Sequence, residues 1–154
     1  MLYILEGPDG GGKTTLANRL SLMTKAKIKH FSYPETDEEK AAMFINYLNV
    51  VRRGGNVILD RCWYSDMCYG PILRGESNIT YPQMYTLERH AAAKGAMIIY
   101  CTDHPSLLWQ RATARGEEYV TSSEDFDKIC KAYDELFRMP HLIPVVRYEI
   151  VSMY

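Results

Sequence analysis

The 154-residue sequence predicts an α/β fold: a doubly wound, mostly parallel five-stranded sheet with helices on both faces. Short apolar runs alternate with longer segments in which apolar residues recur every three or four positions, the pattern of strands alternating with helices. The apolar runs lack polar alternation, which indicates a sheet covered on both faces. No repeat or linker divides the sequence, so we expect one domain over residues 1–154.

The first third of the chain predicts two strands and two helices. Leu2–Leu5 is a short apolar run closed by a glycine, which is typical of a buried strand. Thr14–Met23 carries apolar residues at helical spacing, and Lys27–Ser32 reads as a strand that leads into a Tyr-Pro turn. Asp37–Arg53 keeps its apolar side chains on one face and stops at paired glycines, so we expect a helix there.

The middle of the chain predicts the third strand, Asn56–Asp60, an apolar run that ends on a carboxylate. A short helix follows it, and Gly70, Pro71 and Gly75 predict a polar loop after that helix. The segment Pro82–Lys94 reads as a helix, because proline is favoured at the first helical position and a glycine follows as a stop.

The last third predicts a strand at Ala96–Thr102 and a helix at Ser106–Arg115 that a glycine ends. Thr121 and Glu124 have the spacing of a capping box, which predicts a helix from there to about residue 139. Val145–Val151 is the fifth predicted strand.

A glycine-rich segment, Gly7–Thr14, lies between the first strand and the first helix and fits G-x-x-x-x-G-K-[ST] at every fixed position. Backbone N–H groups of such a loop surround phosphate oxygens, and the following helix directs its positive end at the same anion. We expect Lys13 to reach the β- and γ-phosphates of ATP and the Thr14 hydroxyl to ligate Mg²⁺. The predicted nucleotide-binding residues are Gly7, Asp9, Gly10, Gly11, Gly12, Lys13, Thr14 and Thr15.

The carboxylate of Asp9 opposes the field of an anion-binding loop. We therefore expect its side chain to point away from the nucleotide, toward a second substrate. The alternative is an Asx turn that stabilises the loop.

Asp60 and Arg61 follow the third strand, at the sheet edge where ligands of open parallel sheets bind. Asp60 is a candidate for orienting Mg²⁺ through water or for accepting a proton. Arg61 is a candidate for bridging the donor and acceptor phosphates. The alternative is an Asp–Arg pair that closes the strand end.

Arg111 and Arg115 are four residues apart and so share a helix face. They predict a lid over residues 111–122 whose arginines neutralise charge on a transferring phosphoryl group. A solvated helix end, where the dipole favours cations, is the alternative.

These residues resemble the thymidylate kinase and deoxynucleoside kinase family of P-loop kinases. Tyr3–Thr15 is similar to the opening E-G-x-D-G-x-G-K-T-T of thymidylate kinases. Ile58–Arg61, with Ser65 four residues later, resembles their D-R-[YF]-x-x-S segment, and Pro105–Gly116 resembles their lid helix ending R-x-x-x-R-G. The resemblance covers most of the chain in order, and the short length suits a minimal, phage-type member.

The resemblance implies ATP-dependent phosphoryl transfer to a deoxynucleoside monophosphate, most simply dTMP, with dUMP or a modified pyrimidine analogue as alternatives, and with Mg²⁺ as cofactor. It implies that Asp9 contacts the 3′-hydroxyl of the acceptor sugar and that Arg61 contacts the acceptor phosphate. Family members with a basic residue in the phosphate loop carry it at the position of Gly10. Because this chain has glycine there, the resemblance implies that Arg111 and Arg115 supply the catalytic cations.

The segment between the second and third strands departs from the family: it is short and holds no arginine before Arg52. Candidates for stacking on the acceptor base are therefore Phe31, Tyr33 and Tyr69. Lys40 is the candidate for the missing positive charge.

A deoxynucleoside kinase that phosphorylates the 5′-hydroxyl is the first alternative function. A hydroxyl must lose a proton, which requires a carboxylate base, and Glu35 stands where the resemblance to deoxynucleoside kinases places one. Trp63–Asp66 also resembles their segment after the third strand. The second alternative is a nucleotide-dependent ATPase or switch, against which Asp9 and the lid arginines argue.

The composition bears on which classes of partner the protein could bind: nucleic acid, a membrane or zinc. The net charge of −1 gives no argument for binding nucleic acid or a membrane, and no apolar run approaches the ~20 residues of a membrane helix. The four cysteines and four histidines show no ligand spacing, so zinc is not expected. We expect a soluble protein of the cytoplasm, or of the host cytoplasm if phage-encoded, and leave a homodimer open.

Overall fold

The computed structural model describes residues 1–116, 120 and 122–150, and these form five strands and six helices. The strands are β1 (Leu2–Glu6), β2 (Lys27–His30), β3 (Val57–Asp60), β4 (Met97–Cys101) and β5 (Val145–Tyr148). The helices are α1 (Lys13–Thr24), α2 (Asp37–Arg53), α3 (Trp63–Leu73), α4 (Tyr81–Ala93), α5 (Pro105–Ala114) and α6 (Ser123–Arg138).

The strands pair in the order β2-β3-β1-β4-β5, and each of these pairs is parallel. Successive strand residues face opposite sides of the sheet. Ile4 and Leu59 pack into a large core with α2, α3, α4 and α6, whereas Leu5 and Ile58 pack into a smaller core with α1. Helices therefore cover both faces, which confirms the predicted doubly wound α/β fold, and the strands end together at one edge.

The prediction of a loop around Gly70 and Pro71 is wrong, because both residues lie inside α3. Proline removes one helical hydrogen bond, but α3 is embedded between the core and α6, and packing outweighs that loss. Gly70 has a packing role: a Cβ atom there would lie 2.5 Å from the carbonyl oxygen of Glu76, where the chain folds back.

The cap predicted for the last helix is also wrong. Ser122 caps α6, and its hydroxyl accepts a hydrogen bond from the Asp125 amide at 3.2 Å. Thr121 lies outside the described residues, as do residues 117–119 of the expected lid and the predicted strand end at Val151. Serine and threonine are both good N-cap residues, so Ser122 can take the place predicted for Thr121. With Ser122 as the cap, the carboxylates of Glu124 and Asp125 lie in the first turn, where the helix dipole favours negative charge.

Smaller boundary differences occur at other elements. Strand β2 ends two residues before the predicted Ser32, and α4 begins at Tyr81 with a full capping box between Thr80 and Gln83. Pro82 is thus the second helical residue rather than the first. Among the described residues, no helix has both the length and the apolar character that crossing a membrane demands.

Candidate active site

The loop between β1 and α1 passes so close to the backbone of β4 and of α5 that two of its positions require glycine. A Cβ atom at Gly7 would overlap the carbonyl oxygen of Cys101 at the end of β4. A Cβ atom at Gly10 would overlap the carbonyl oxygen of Leu108 in α5, and Gly10 also has a φ of 81°. A basic side chain therefore has no room at position 10, which explains the glycine found there.

Lys13 is the first residue of α1 and is 6% exposed. Its ammonium group donates a hydrogen bond to the Pro8 carbonyl at 2.6 Å, which leaves two further donors. Burial, together with the nearby charge of Arg61, lowers the pKa of Lys13 to about 8, although Asp9 partly offsets the effect. No side chain caps the first turn of α1, so its free N–H groups and this ammonium suit a bound phosphate.

These groups open into a cleft of about 700 Å³, here called the donor cleft. Eight of the predicted site residues line it: Asp9, Gly10, Gly12, Lys13, Thr14, Asp60, Arg61 and Arg115. Four others do not. Gly7 and Gly11 are buried against β4, Thr15 is exposed on α1, and Arg111 donates to Asp103 at 3.1 Å.

Thr14 and Asp60 face the same cleft from the ends of the loop and of β3. Asp60 is 8% exposed and pairs with the Nδ1 atom of His30 at 3.2 Å. Among the described residues, no cluster of three or more His, Cys, Asp or Glu side chains could hold a metal. A hydroxyl and one carboxylate fit Mg²⁺, which takes few protein ligands and keeps waters and phosphate oxygens.

Arg61 has a left-handed backbone conformation, with a φ of 67°. Such a φ is costly for a side chain other than glycine and is common at functional sites. The guanidinium group pairs with the Asp9 carboxylate and lies 5.2 Å from the centre of the Tyr69 ring. The partner of the Asp9 carboxylate in this structure is therefore Arg61, and its predicted orientation toward a second substrate stays a prediction.

Three hydroxyl groups surround the same guanidinium. Arg61 donates to Ser65 at 3.2 Å and to the hydroxyls of Tyr69 and Tyr133 at 3.4 Å each. Burial opposes its charge, but Tyr69, Tyr133 and Asp9 outweigh burial and raise the pKa of Arg61 above its usual value. Arg61 is thus a fixed cation.

Arg61 and Asp9 also line a second cavity of about 400 Å³, here called the aromatic cavity. Its walls include the stacking candidates Phe31, Tyr33 and Tyr69 and, in addition, Tyr47 of α2. Aromatic walls with a few polar groups are typical of a site for a planar ligand.

Arg74 is a polar group of this cavity that the sequence patterns did not reveal. Its guanidinium lies 4.1 Å from the centre of the Tyr33 ring and 3.3 Å from an Asp66 oxygen. Asp66 also accepts from the amides of Asn78 and Ile79, which fixes it at the base of the cavity. The signal available in the sequence was weak: a carboxylate in a helix and an arginine about two turns later, at the C-cap of that helix.

Two predicted acceptor residues lie elsewhere. The side chain of Glu35 is exposed and lines neither cavity, and its amide donates to the Glu39 carboxylate at 2.8 Å. Lys40 also lines neither cavity. Arg115 lies at the end of α5 and lines the donor cleft, so the two lid arginines are not brought together over it.

Glu6 is a buried carboxylate next to Arg61's partners, and the sequence patterns assigned it no role. It is fully buried at the end of β1 and accepts from the amides of Cys62 and Ser65 at 2.7 and 3.0 Å. It also accepts from the hydroxyls of Ser65 and Tyr133 at 2.8 and 2.9 Å. A charged residue that ends an apolar strand was the available signal.

The chain is 33% identical over 135 residues to the SPbeta prophage-derived protein YorR of Bacillus subtilis (strain 168). Those residues are 88% of this chain and 81% of YorR. This chain belongs to the YorR family. The crystal structure of YorR in complex with phosphorylated GDP matches it with a TM-score of 0.80 and 30% identity, over 97% of this chain and 85% of that one.

More distant structures share the fold of the YorR family. Deoxyadenosine kinase from M. mycoides with bound dCTP has a TM-score of 0.64 and 16% identity, over 97% of this chain and 90% of the kinase. Polyphosphate kinase 2 from Arthrobacter aurescens TC1 has a TM-score of 0.69 and 18% identity, over 95% of this chain and 59% of that enzyme. These likenesses confirm the P-loop kinase fold, whereas the resemblance to thymidylate kinases stays a prediction. No protein-family model matches the chain.

Proposed function

We propose that this protein transfers the γ-phosphoryl group of ATP to a deoxynucleoside monophosphate, with dTMP or dUMP as the acceptor. The observation that carries the proposal is the position of Arg61, which lines both the donor cleft and the aromatic cavity. A phosphoryl group that passes from a nucleotide in the cleft to a ligand in the cavity would pass beside this guanidinium. Arginine at such a position binds phosphate oxygens in a bidentate manner.

The donor side is supported by the loop and the first turn of α1. Main-chain amides and the ammonium of Lys13 would hold the β- and γ-phosphates, and Thr14 and Asp60 would hold Mg²⁺. The magnesium ion supplies charge neutralisation on the β- and γ-oxygens when it is bound. Arg115, which also lines the cleft, would add a cation on the transferring group.

The acceptor side favours a monophosphate. A monophosphate is largely dianionic at pH 7, so it needs cations for positioning and no strong base. The cavity meets that need with Arg61, while its aromatic walls and Arg74 suit a planar base that carries carbonyl groups. The complex of YorR with phosphorylated GDP supports nucleotide binding in this family.

A deoxynucleoside kinase is the second candidate, and Asp9 favours it. Its carboxylate lines both cavities, where the proton of a 5′-hydroxyl would have to be accepted. In this structure, however, the carboxylate is paired with Arg61. The base predicted from sequence, Glu35, is exposed and outside both cavities.

An acceptor screen tests the proposal. The protein is incubated with ATP and Mg²⁺ and, in parallel, with dTMP, dUMP, thymidine or deoxyuridine, and products are separated by chromatography. Guanine nucleotides are included because YorR was crystallised with one. We expect dTDP or dUDP. Phosphorylation of nucleosides alone would establish the second candidate, and ATP turnover that ignores every acceptor would contradict both.

Two isosteric variants sharpen the screen. Glu35→Gln should leave monophosphate transfer unchanged, because the exposed side chain lies outside both cavities. Asp9→Asn should remove activity if the carboxylate accepts a proton, but should retain measurable transfer if the acceptor is a monophosphate.

A further inference from the structure

The buried hydroxyl of Tyr133 reaches Arg61 across 72 residues of sequence, from the middle of α6. Tyr133 has no exposed surface, and its ring packs edge-on to Tyr69 at 6.0 Å. Together with Ser65, it meets one nitrogen of the guanidinium, Nη1, while the other nitrogen, Nη2, pairs with Asp9. Arg61 is therefore held from two directions.

Glu6 fixes the direction of these hydrogen bonds. A guanidinium has donors and no acceptor, so both hydroxyl oxygens must accept from Arg61. Each hydroxyl has one proton to donate, and the same oxygen of Glu6 lies 2.8 Å from the Ser65 hydroxyl and 2.9 Å from the Tyr133 hydroxyl. The two hydroxyl oxygens are also 3.0 Å apart. Because a carboxylate is the stronger acceptor, we expect both protons to be donated to Glu6, which leaves the lone pairs of both hydroxyls for the arginine.

We infer that Tyr133 and Ser65, oriented by Glu6, are positioning residues that hold the Arg61 guanidinium at the junction of the donor cleft and the aromatic cavity. The inference rests on the proposed function in one respect, namely that Arg61 contacts the transferring phosphates. Glu6 and Tyr133 line neither the cleft nor the cavity and act through Arg61, whereas Ser65 also lines the aromatic cavity. They lie on β1, α3 and α6, so the arginine is fixed by three separate elements.

The central variant is Tyr133→Phe, which removes one oxygen and keeps the ring. Hydrogen bonds to charged groups are among the stronger ones in proteins, so we expect kcat/KM for the acceptor to fall about tenfold. The KM for ATP should stay within about twofold, since the contacts of Lys13 and the loop are unchanged. Ser65→Ala should act in the same direction.

Tyr100→Phe is the matched control. Tyr100 belongs to the same aromatic cluster, with its ring 6.1 Å from that of Tyr133, and its hydroxyl donates to Asp134 at 2.5 Å rather than to Arg61. We expect it to lower the melting temperature as much as Tyr133→Phe does and to leave both KM values unchanged. Equal kinetic losses in the two variants would show that Tyr133 has a structural role alone.

A double-mutant cycle with Arg61→Ala separates positioning from packing. If Tyr133 acts through Arg61, then Tyr133→Phe has no further effect on acceptor kinetics once the guanidinium is absent. A tenfold loss that persists in the Arg61→Ala background would overturn the inference.

A readout that does not depend on activity distinguishes this inference from the proposed function. The Nε–Hε resonance of Arg61, assigned by its loss in Arg61→Lys, reports the environment of the guanidinium. We expect Tyr133→Phe and Ser65→Ala to change the chemical shift of this resonance and Tyr100→Phe to leave its chemical shift unchanged. If the wild type transfers no phosphate but these shifts occur, then the proposed function fails and the positioning network stands. If Tyr133→Phe leaves the resonance unmoved, the network is wrong whatever the activity.

Discussion

The donor cleft and the aromatic cavity share Asp9, Phe31 and Arg61, but the rest of their walls comes from different parts of the polypeptide. One wall of the cleft is a continuous loop, held in place where Gly7 and Gly10 touch the backbone of β4 and α5. The cavity takes its shape from side chains of α2, α3 and the β2–α2 loop. Since main-chain groups do not change with sequence, the proposed function predicts that phosphate binding depends on few residues and acceptor choice on many.

The two regions also differ in how their charges are held. Lys13 is buried with one hydrogen bond to a carbonyl, so its charge is destabilised until an anion arrives. Arg61 is surrounded by hydroxyls and a carboxylate, so its charge persists in the free protein. We therefore expect the donor side to take up a proton with its ligand at a pH near or above 8, whereas the charge of Arg61 is already present in the free protein.

The largest expected effect is that of Lys13→Ala, which tests the dependence of the donor cleft on few residues. Loss of one cation that contacts a transition state typically lowers kcat 100-fold or more, and we expect at least ~100-fold here. The control is Lys131→Ala, since that lysine is 78% exposed on α6. Near-normal turnover of the Lys13 variant in a coupled ADP assay would refute the assignment of the cleft.

A second variant, Gly10→Ala, tests whether the main chain shapes the cleft. Gly75→Ala is its control, because Gly75 has a similar φ of 83° but no atom within 4 Å of an added Cβ. We expect Gly75→Ala to lower the free energy of unfolding by about 1 kcal/mol through backbone strain. Gly10→Ala should add ~2 kcal/mol from the overlap with Leu108 and should weaken ATP binding. If chemical denaturation shows the same loss in free energy of unfolding for both variants, then the close approach of Gly10 to α5 does not contribute to stability.

The same contrast explains how much the sequence could predict. The phosphate loop is contiguous, so its spacing predicted Lys13 and Thr14, which do line one cleft, and strand–helix alternation predicted the fold that the structure has. The partners of Arg61 could not be found in this way, because Tyr133 is 72 residues away and a tyrosine in an amphipathic helix resembles any core aromatic. Pro71 was misread for a related reason: local preference argued for a loop, and packing of α3 overrode it.

Arg74→Met tests the aromatic cavity and should have a smaller effect. It removes a guanidinium that Asp66 and Tyr33 hold in place, but it leaves the cavity apolar and filled. We expect the KM for the acceptor to rise about tenfold, the loss typical of a charged hydrogen bond, with the KM for ATP unchanged. Arg89→Met, at an exposed position of α4, is the control. A rise in the KM for ATP alone would mean that the two regions have been assigned the wrong way round.

The smallest expected effect is a proton taken up when ATP binds, and it compares the charges of Lys13 and Arg61 directly. The pKa of Lys13 is lowered to about 8 in the free protein, and phosphate oxygens favour its charged form and raise that pKa. Affinity for ATP should therefore be constant below pH 8 and fall as the pH rises above it, because binding must then restore the proton.

Calorimetry in buffers of different ionisation enthalpy measures this uptake. A group with a pKa of 8 that becomes fully charged on binding takes up about 0.1 proton at pH 7 and about 0.9 at pH 9. Lys13→Arg should abolish the difference between the two pH values, since arginine stays charged throughout this range. If uptake by the wild type is the same at both, then the charge on Lys13 persists in the free protein, and the contrast between a responsive donor side and a preset junction does not hold.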